Sequence, residues 1–209
     1  MIEELRIKRS DIDRIILCGG RSRQTAQQIY DALADKPDYI INGLMYDMAS
    51  GITVADTIVD GKLINGGNYT DKGIAVNDND LTQSTTTAAK LAAATSFFGG
   101  SPSLVWGGKV DVDATGFSDW FIKKGLSERL AMGLNADDLI IYYPEAKMTI
   151  VQLAQAMQQK GCNTAINLDG GGSRMVVKVE SGELKKLNRP TENRANSNWN
   201  LIYLRKEGN

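Results

Sequence analysis

The sequence predicts a single α+β domain with a mixed or antiparallel β-sheet core and about three helices packed on it. Three observations carry that expectation. Short apolar runs of strand length recur between glycine-rich joints, and one strongly capped amphipathic helix stands at Thr149–Lys160. The third is uniformity: no internal repeat and no shift in composition divides the 209 residues, so one domain spanning 1–209 is expected.

The elements follow in order. Arg14–Cys18 is a short apolar strand ending at Gly19-Gly20. Thr25–Ala34 is helical, with Ile29 and Leu33 on one face, and Lys36-Pro37 stops it because the residue before proline is disfavoured in the α region. Tyr39-Ile40-Ile41 is the next strand, ending at Asn42-Gly43. From Gly51 to Asn77, apolar stretches separated by Asp60-Gly61, Asn65-Gly66-Gly67 and Asp71-Lys72-Gly73 have the spacing of a β-meander. Leu81–Ser96, rich in Thr and Ala, reads as a helix. Ser103–Trp106 and Lys109-Val110 flank Gly107-Gly108 as a hairpin, and Ala131–Leu134 and Leu139–Tyr143 are further strands. Thr149 and Gln152 form a capping box before the apolar face of Ile150, Leu153, Ala154 and Met157, with Gly161 as the stop. Asn200–Leu204 is a closing strand.

Composition narrows the chemistry. A formal charge of −1 gives no global bias toward nucleic acid or an anionic membrane, so no nucleic-acid polymer is expected as a partner. No apolar run approaches the roughly 18 residues of a membrane span, and the first nine residues alternate charge without a signal-peptide core, which leads to the expectation of a cytoplasmic chain. Cys18 and Cys162 fit small buried hydrophobes better than a disulfide or metal site. Histidine is absent, which removes Ser-His-Asp and Cys-His activation and histidine-ligated zinc. Acid–base work falls to carboxylates, Tyr, Lys or water, a set suited to glycosyl transfer.

The most informative stretch is Ala165-Ile166-Asn167-Leu168-Asp169-Gly170-Gly171-Gly172-Ser173. An apolar strand ends in a carboxylate, and glycines follow that let a ligand approach the backbone closely. Their N–H groups suit an anion site; they also suit a plain turn. Together with the helix at Thr149 and Gly161-Cys162, this stretch resembles the signature region of the phosphodiester glycosidase family. Other blocks resemble that family in the same order: Lys36–Asp47, Gly100–Lys109, Glu128–Gly133, and Arg189-Pro190-Thr191 with Arg194. They run from about Arg14 to Leu204. The Asn42–Met48 block is most similar to short members from phages and prophages of low-GC Gram-positive bacteria, which implies a phage-encoded chain released at lysis. Leu44 stands where the family usually has a second glycine, so its side chain is expected to narrow the pocket. Met45 replaces an aromatic, and Arg174 replaces a small hydroxyl residue.

The resemblance implies hydrolysis of a sugar-1-phosphodiester, such as an N-acetylglucosamine-1-phosphodiester, on a small molecule or a glycan. It implies Asp169 as general base or electrostatic stabiliser, Asp47 as a second carboxylate and Arg129 as a bidentate phosphate clamp. The N–H groups of Gly170, Gly171, Gly172 and Ser173 would complete the cradle. Asn42, Gly43, Tyr46 and Arg194 would contact substrate. Each has a plainer alternative: Asp169 and Asp47 as turn residues, Arg129 as an ion-pair partner, Asn42 as a turn residue, Tyr46 as a core tyrosine. Asp78/Asp80, Asp111/Asp113 and Asp137/Asp138 are candidates for a divalent cation or for solvated turns, their spacing matching no complete calcium loop. Oligomeric state is open, with Trp106, Trp120 and Phe121 as candidate interface residues. Two further functions stand beside hydrolysis of a sugar-1-phosphodiester: action on, or binding of, nucleotide-type phosphodiesters, and a non-catalytic phage structural or ligand-sequestering role.

Overall fold

The computed structural model describes residues 3–59, 61–64, 72–77, 80–91, 93–112, 124–188 and 194–205. Sixteen strands among them form three antiparallel sheets. The first sheet contains β1 (Glu4–Lys8), β12 (Asp138–Tyr142), β11 (Ala131–Leu134), β13 (Thr164–Asn167), β9 (Ser103–Trp106) and β10 (Lys109–Val110), in that spatial order. The second runs β15 (Glu183–Lys186), β14 (Val176–Glu180), β3 (Tyr39–Asn42), β16 (Asn196–Leu204), β2 (Ile12–Gln24). The third runs β5 (Lys62–Ile64), β4 (Thr57–Val59), β8 (Ser96–Gly99), β6 (Lys72–Asn77), β7 (Asp80–Thr85).

Each sheet turns one face toward a shared core. Ile41 and Ile202 come from the second sheet, Met132, Ile141 and Ile166 from the first, and Ile74, Val76 and Phe98 from the third. Because side chains alternate along a strand, the opposite faces are left for helices. Helix α1 (Ala26–Ala32) covers the second sheet through Ala26 and Ile29, packed with Trp199 and Leu201. Helix α2 (Thr86–Leu91) sets Ala89 against Phe97 of the third. Helix α3 (Ile150–Gln159) covers the first with Ile150, Leu153, Ala154 and Met157. Both α1 and α3 start in complete capping boxes, Thr25 with Gln28 and Thr149 with Gln152. No helix among the described residues is long and apolar enough to cross a membrane.

The α+β class holds, and several local expectations change. The strand at Arg14 does not end at Gly19: β2 bulges between its pairings with Asn198 and Asn196 and runs on to Gln24. Residues 81–96 are not one helix. Asp80–Thr85 pairs with β6 as a hairpin strand, where the β-branched threonines fit an exposed pleat, and only Thr86–Leu91 is helical. The meander also fails, because β8 inserts between β4 and β6. The closing strand begins at Asn196 rather than Asn200. Glu4–Lys8, passed over as a charge alternation, is an edge strand whose Ile7 enters the core. Asp60, Asn65-Gly66-Gly67, Asp71, Trp120, Phe121 and Arg189-Pro190-Thr191 lie outside the described residues, as do Asp78 and Asp113.

Candidate active site

The first and second sheets meet where β13 runs out into Asp169 and β3 into Gly43. The Asp169 N–H donates to Gly43 O at 3.0 Å, and the Leu168 N–H to Leu130 O at 2.8 Å, which fixes the end of β13 between the two sheets. Residues Gly171–Ser173 then form one turn of 3-10 helix. Glycine is required twice here: a Cβ at Gly170 would overlap the Glu128 carbonyl, and Gly171 has φ +55.

Of the residues singled out in the sequence, Asp169, Ser173 and Arg194 are brought together. Burial pushes the Asp169 carboxyl up to about 6, although the Ser173 hydroxyl, the Arg194 charge and the Gly170 N–H all favour its ionised form. Desolvation therefore outweighs three favourable contacts. A carboxyl poised near neutrality is what acid–base chemistry needs.

Most N–H groups expected to form a phosphate cradle are engaged within the protein. Gly171 N–H donates to Glu128 O at 2.8 Å, Ser173 N–H to Gly170 O at 3.1 Å and Arg174 N–H to Gly171 O at 3.2 Å. The Gly170 N–H serves Asp169. With these donors engaged, Arg194 is the side-chain cation beside Asp169.

Asn42 also takes a role other than the expected one. It is fully buried, and its amide braces both ends of the loop. Nδ2 donates to Asp169 O at 2.6 Å, while Oδ1 accepts from Met175 N–H at 2.7 Å. Gly43 has its N–H on Asn198 O and its carbonyl on Asp169 N–H, and a side chain there would overlap Asn198 Oδ1. Neither residue has atoms to spare for a ligand.

Asp47 is exposed and closes its own turn. Oδ1 accepts from Ala49 N–H (3.2 Å), Ser50 N–H (2.7 Å) and Ser50 Oγ (2.8 Å), and the Ser50 backbone contact leads in holding its carboxyl below the usual range. Arg129 is buried, with Nε donating to Met148 O at 3.0 Å and Nη2 to Gly125 O at 2.6 Å, and desolvation pushes its guanidinium down to about 10. It stays charged at neutral pH. Arg174, also buried, donates to Pro144 O, and its Nε has no hydrogen-bond partner. Leu44 does not narrow a pocket: its side chain belongs to the shared core.

Tyr46 is buried with its hydroxyl unpartnered in the protein, and the Arg23 guanidinium lies 5.5 Å from its ring centroid. Sequence reasoning missed a set of asparagines around this site. Asn167 Nδ2 donates to Ser101 O at 2.6 Å and to Met45 Sδ at 3.5 Å, leaving its Oδ1 and Ser101 Oγ unpartnered. Asn196 Nδ2 donates to Ser173 O at 3.1 Å, Asn188 Nδ2 to Arg174 O at 3.0 Å, and Asn198 brackets Leu44 N–H and O. A period-two reading back from Asp169 would have picked out Asn167.

Asp80, Asp111 and Asp138 pair with cations: Arg9, Lys72 and, for Asp138, both Lys8 and Arg6. Among the described residues no three His, Cys, Asp or Glu side chains converge. Both cysteines are free, and burial pushes Cys18 up to about 11 and Cys162 to about 12.

The fold resembles that of the zebrafish N-acetylglucosamine-1-phosphodiester alpha-N-acetylglucosaminidase catalytic domain, auto-inhibited by its pro-peptide. The TM-score is 0.71 at 17% identity, covering 97% of this chain and 83% of that one. A hypothetical protein from Synechocystis gives a TM-score of 0.67 at 14% identity, covering 97% of this chain and 59% of that one. At such identities the likeness is one of fold. No curated protein sequence matches. The sequence profile for phosphodiester glycosidase matches residues 35–204, a span that holds Asn42, Tyr46, Asp169, Ser173 and Arg194. The chain belongs to the phosphodiester glycosidase family.

Proposed function

We propose that this chain hydrolyses a sugar-1-phosphodiester by cleaving the bond between the anomeric carbon and the phosphate oxygen. Asp169, its carboxyl raised to about 6 beside Arg194 and Ser173, is the observation that carries the reading. Water supplies hydroxide to C1, its proton passes to Asp169, and the departing phosphate monoester leaves as an anion against Arg194. A phosphate monoester is a weak base and leaves without prior protonation, unlike a sugar alcohol. One poised carboxylate therefore suffices, and Asp47 can remain in its turn. The Ser173 hydroxyl orients Asp169, and the unpartnered Tyr46 hydroxyl offers a hydrogen bond to a sugar oxygen. Asn42 holds the loop that carries Asp169.

A substrate panel tests this with purified protein: an N-acetylglucosamine-1-phosphodiester, UDP-GlcNAc and cyclic dinucleotides, with products read by mass. Turnover of the first is expected, with the label from 18O-water on the sugar. Asp169→Asn should reduce it by about 100-fold or more while remaining folded. Label on the phosphate would overturn cleavage at C1, and turnover indifferent to Asp169→Asn would remove the mechanism. Tight binding of one compound without turnover of any would replace hydrolysis with sequestration.

A further inference from the structure

A cavity of about 200 Å³ lies between the second and third sheets, away from the ionic groups of the proposed centre. Its walls include Leu17 of β2, Thr57 and Val59 of β4, Ile64 of β5, Ile52, and Asn198 of β16. The polar groups among them are already bonded. Thr57 Oγ1 lies 3.0 Å from both Ala55 O and Thr53 Oγ1, and the Asn198 amide is taken up by Leu44 N–H at 2.6 Å and Leu44 O at 3.0 Å. A water in this space would find few partners, so its natural occupant is apolar. Complete ligands usually need roughly 300 Å³ or more. This volume takes a short alkyl chain or one ring, which is part of a ligand.

Two pieces of chain tie the cavity to the proposed centre. On β16, Asn196 Nδ2 holds Ser173 O, and two residues further on Asn198 lines the cavity. Two strand residues span roughly 7 Å. In the loop after β3, Met45 meets Asn167 and Tyr46 bridges to Thr53, and Thr53 lines the cavity from the returning arm. Ile64, 40% exposed, gives the cavity a rim at the surface.

We propose, resting on the hydrolase reading above, that this cavity is the subsite for an apolar group on the alcohol side of the phosphodiester. The preferred substrate then joins a sugar-1-phosphate to a short alkyl or single-ring aromatic alcohol. The sugar is a poor occupant, because its many hydroxyls would meet walls that are mostly apolar. Each methylene moved from water into such a space is worth about fourfold in affinity.

The test compares the methyl and hexyl esters of N-acetylglucosamine-1-phosphate. In the unaltered protein the hexyl ester should show kcat/KM at least about tenfold above the methyl ester. Val59→Phe, which fills the cavity, and Ile64→Trp, which closes its rim from an exposed position, should each bring that ratio toward one. Affinities of the two esters for Asp169→Asn protein, measured by calorimetry, keep the two readings separate. A hexyl preference in binding that Val59→Phe or Ile64→Trp abolishes, without turnover by the unaltered protein, would sustain the subsite and sink the hydrolase. Equal kcat/KM and equal affinity for the two esters, or a hexyl preference untouched by both variants, would overturn the subsite.

Discussion

Asp169 is a carboxyl whose folded value, about 6, lies above its ordinary 3.8. The folded protein thus holds this proton more tightly than the unfolded chain does. Its contribution to stability is complete below about pH 4 and is lost as pH rises through 6, by roughly 3 kcal/mol. Asp169→Asn should therefore unfold at higher denaturant than the parent at pH 7.5, and the two should converge near pH 4. Activity moves the other way. The ionised form is the base, so kcat/KM should rise with pH through a limb near 6. Arg194 helps to hold that limb down, and Arg194→Ala should move its midpoint upward as well as weakening catalysis. A pH–rate profile of each variant checks both. Asp169 and Ser173 stood out in the sequence because a strand end followed by Asp-Gly-Gly-Gly-Ser is a local pattern, and Arg194 only through the family resemblance of its loop. Asn42 was legible as important and misread as to task, because both partners of its amide lie more than 120 positions away.

The glycine loop, as an element, is held from outside by side-chain amides. Asn42 spans its two ends, Asn196 and Asn188 take the carbonyls of Ser173 and Arg174, and Gly171 leans on the Glu128 carbonyl. Replacing Asn42 by Ala leaves Met175 N–H without its side-chain acceptor in a buried place and should cost about 2–4 kcal/mol in chemical denaturation. Leu44→Gly, which returns the residue usual in the family, should cost about 3–5 kcal/mol, because that side chain fills the shared core. Its kcat/KM should stay within about threefold, since the side chain points away from Asp169. Elements with strong local signals were readable: the capped α3, the Gly107-Gly108 hairpin, the apolar runs of β3 and β11. Residues 80–96 were not, because Thr and Ala tolerate strand and helix alike, and the pairing of β7 with β6 decides between them.

At the scale of the molecule, three sheets share one core and each carries a helix on its outer face. The class of such a fold is visible in strand-length runs and turn residues. Its strand order is not, because β8 enters between β4 and β6, and β16 between β3 and β2, by pairings that no local pattern announces. The pairing of β2 with β16 joins Leu17 to Asn200 across nearly the whole described chain. That pairing also sets a schedule for biosynthesis. The strand that supports Ser173 and lines the apolar cavity is translated after everything it supports. A nascent chain that has already exposed Asp169 and its glycines still lacks Asn196 and Asn198. The ribosome must release β16 before Ser173 and the cavity gain these supports, so completion of the proposed site waits on this strand.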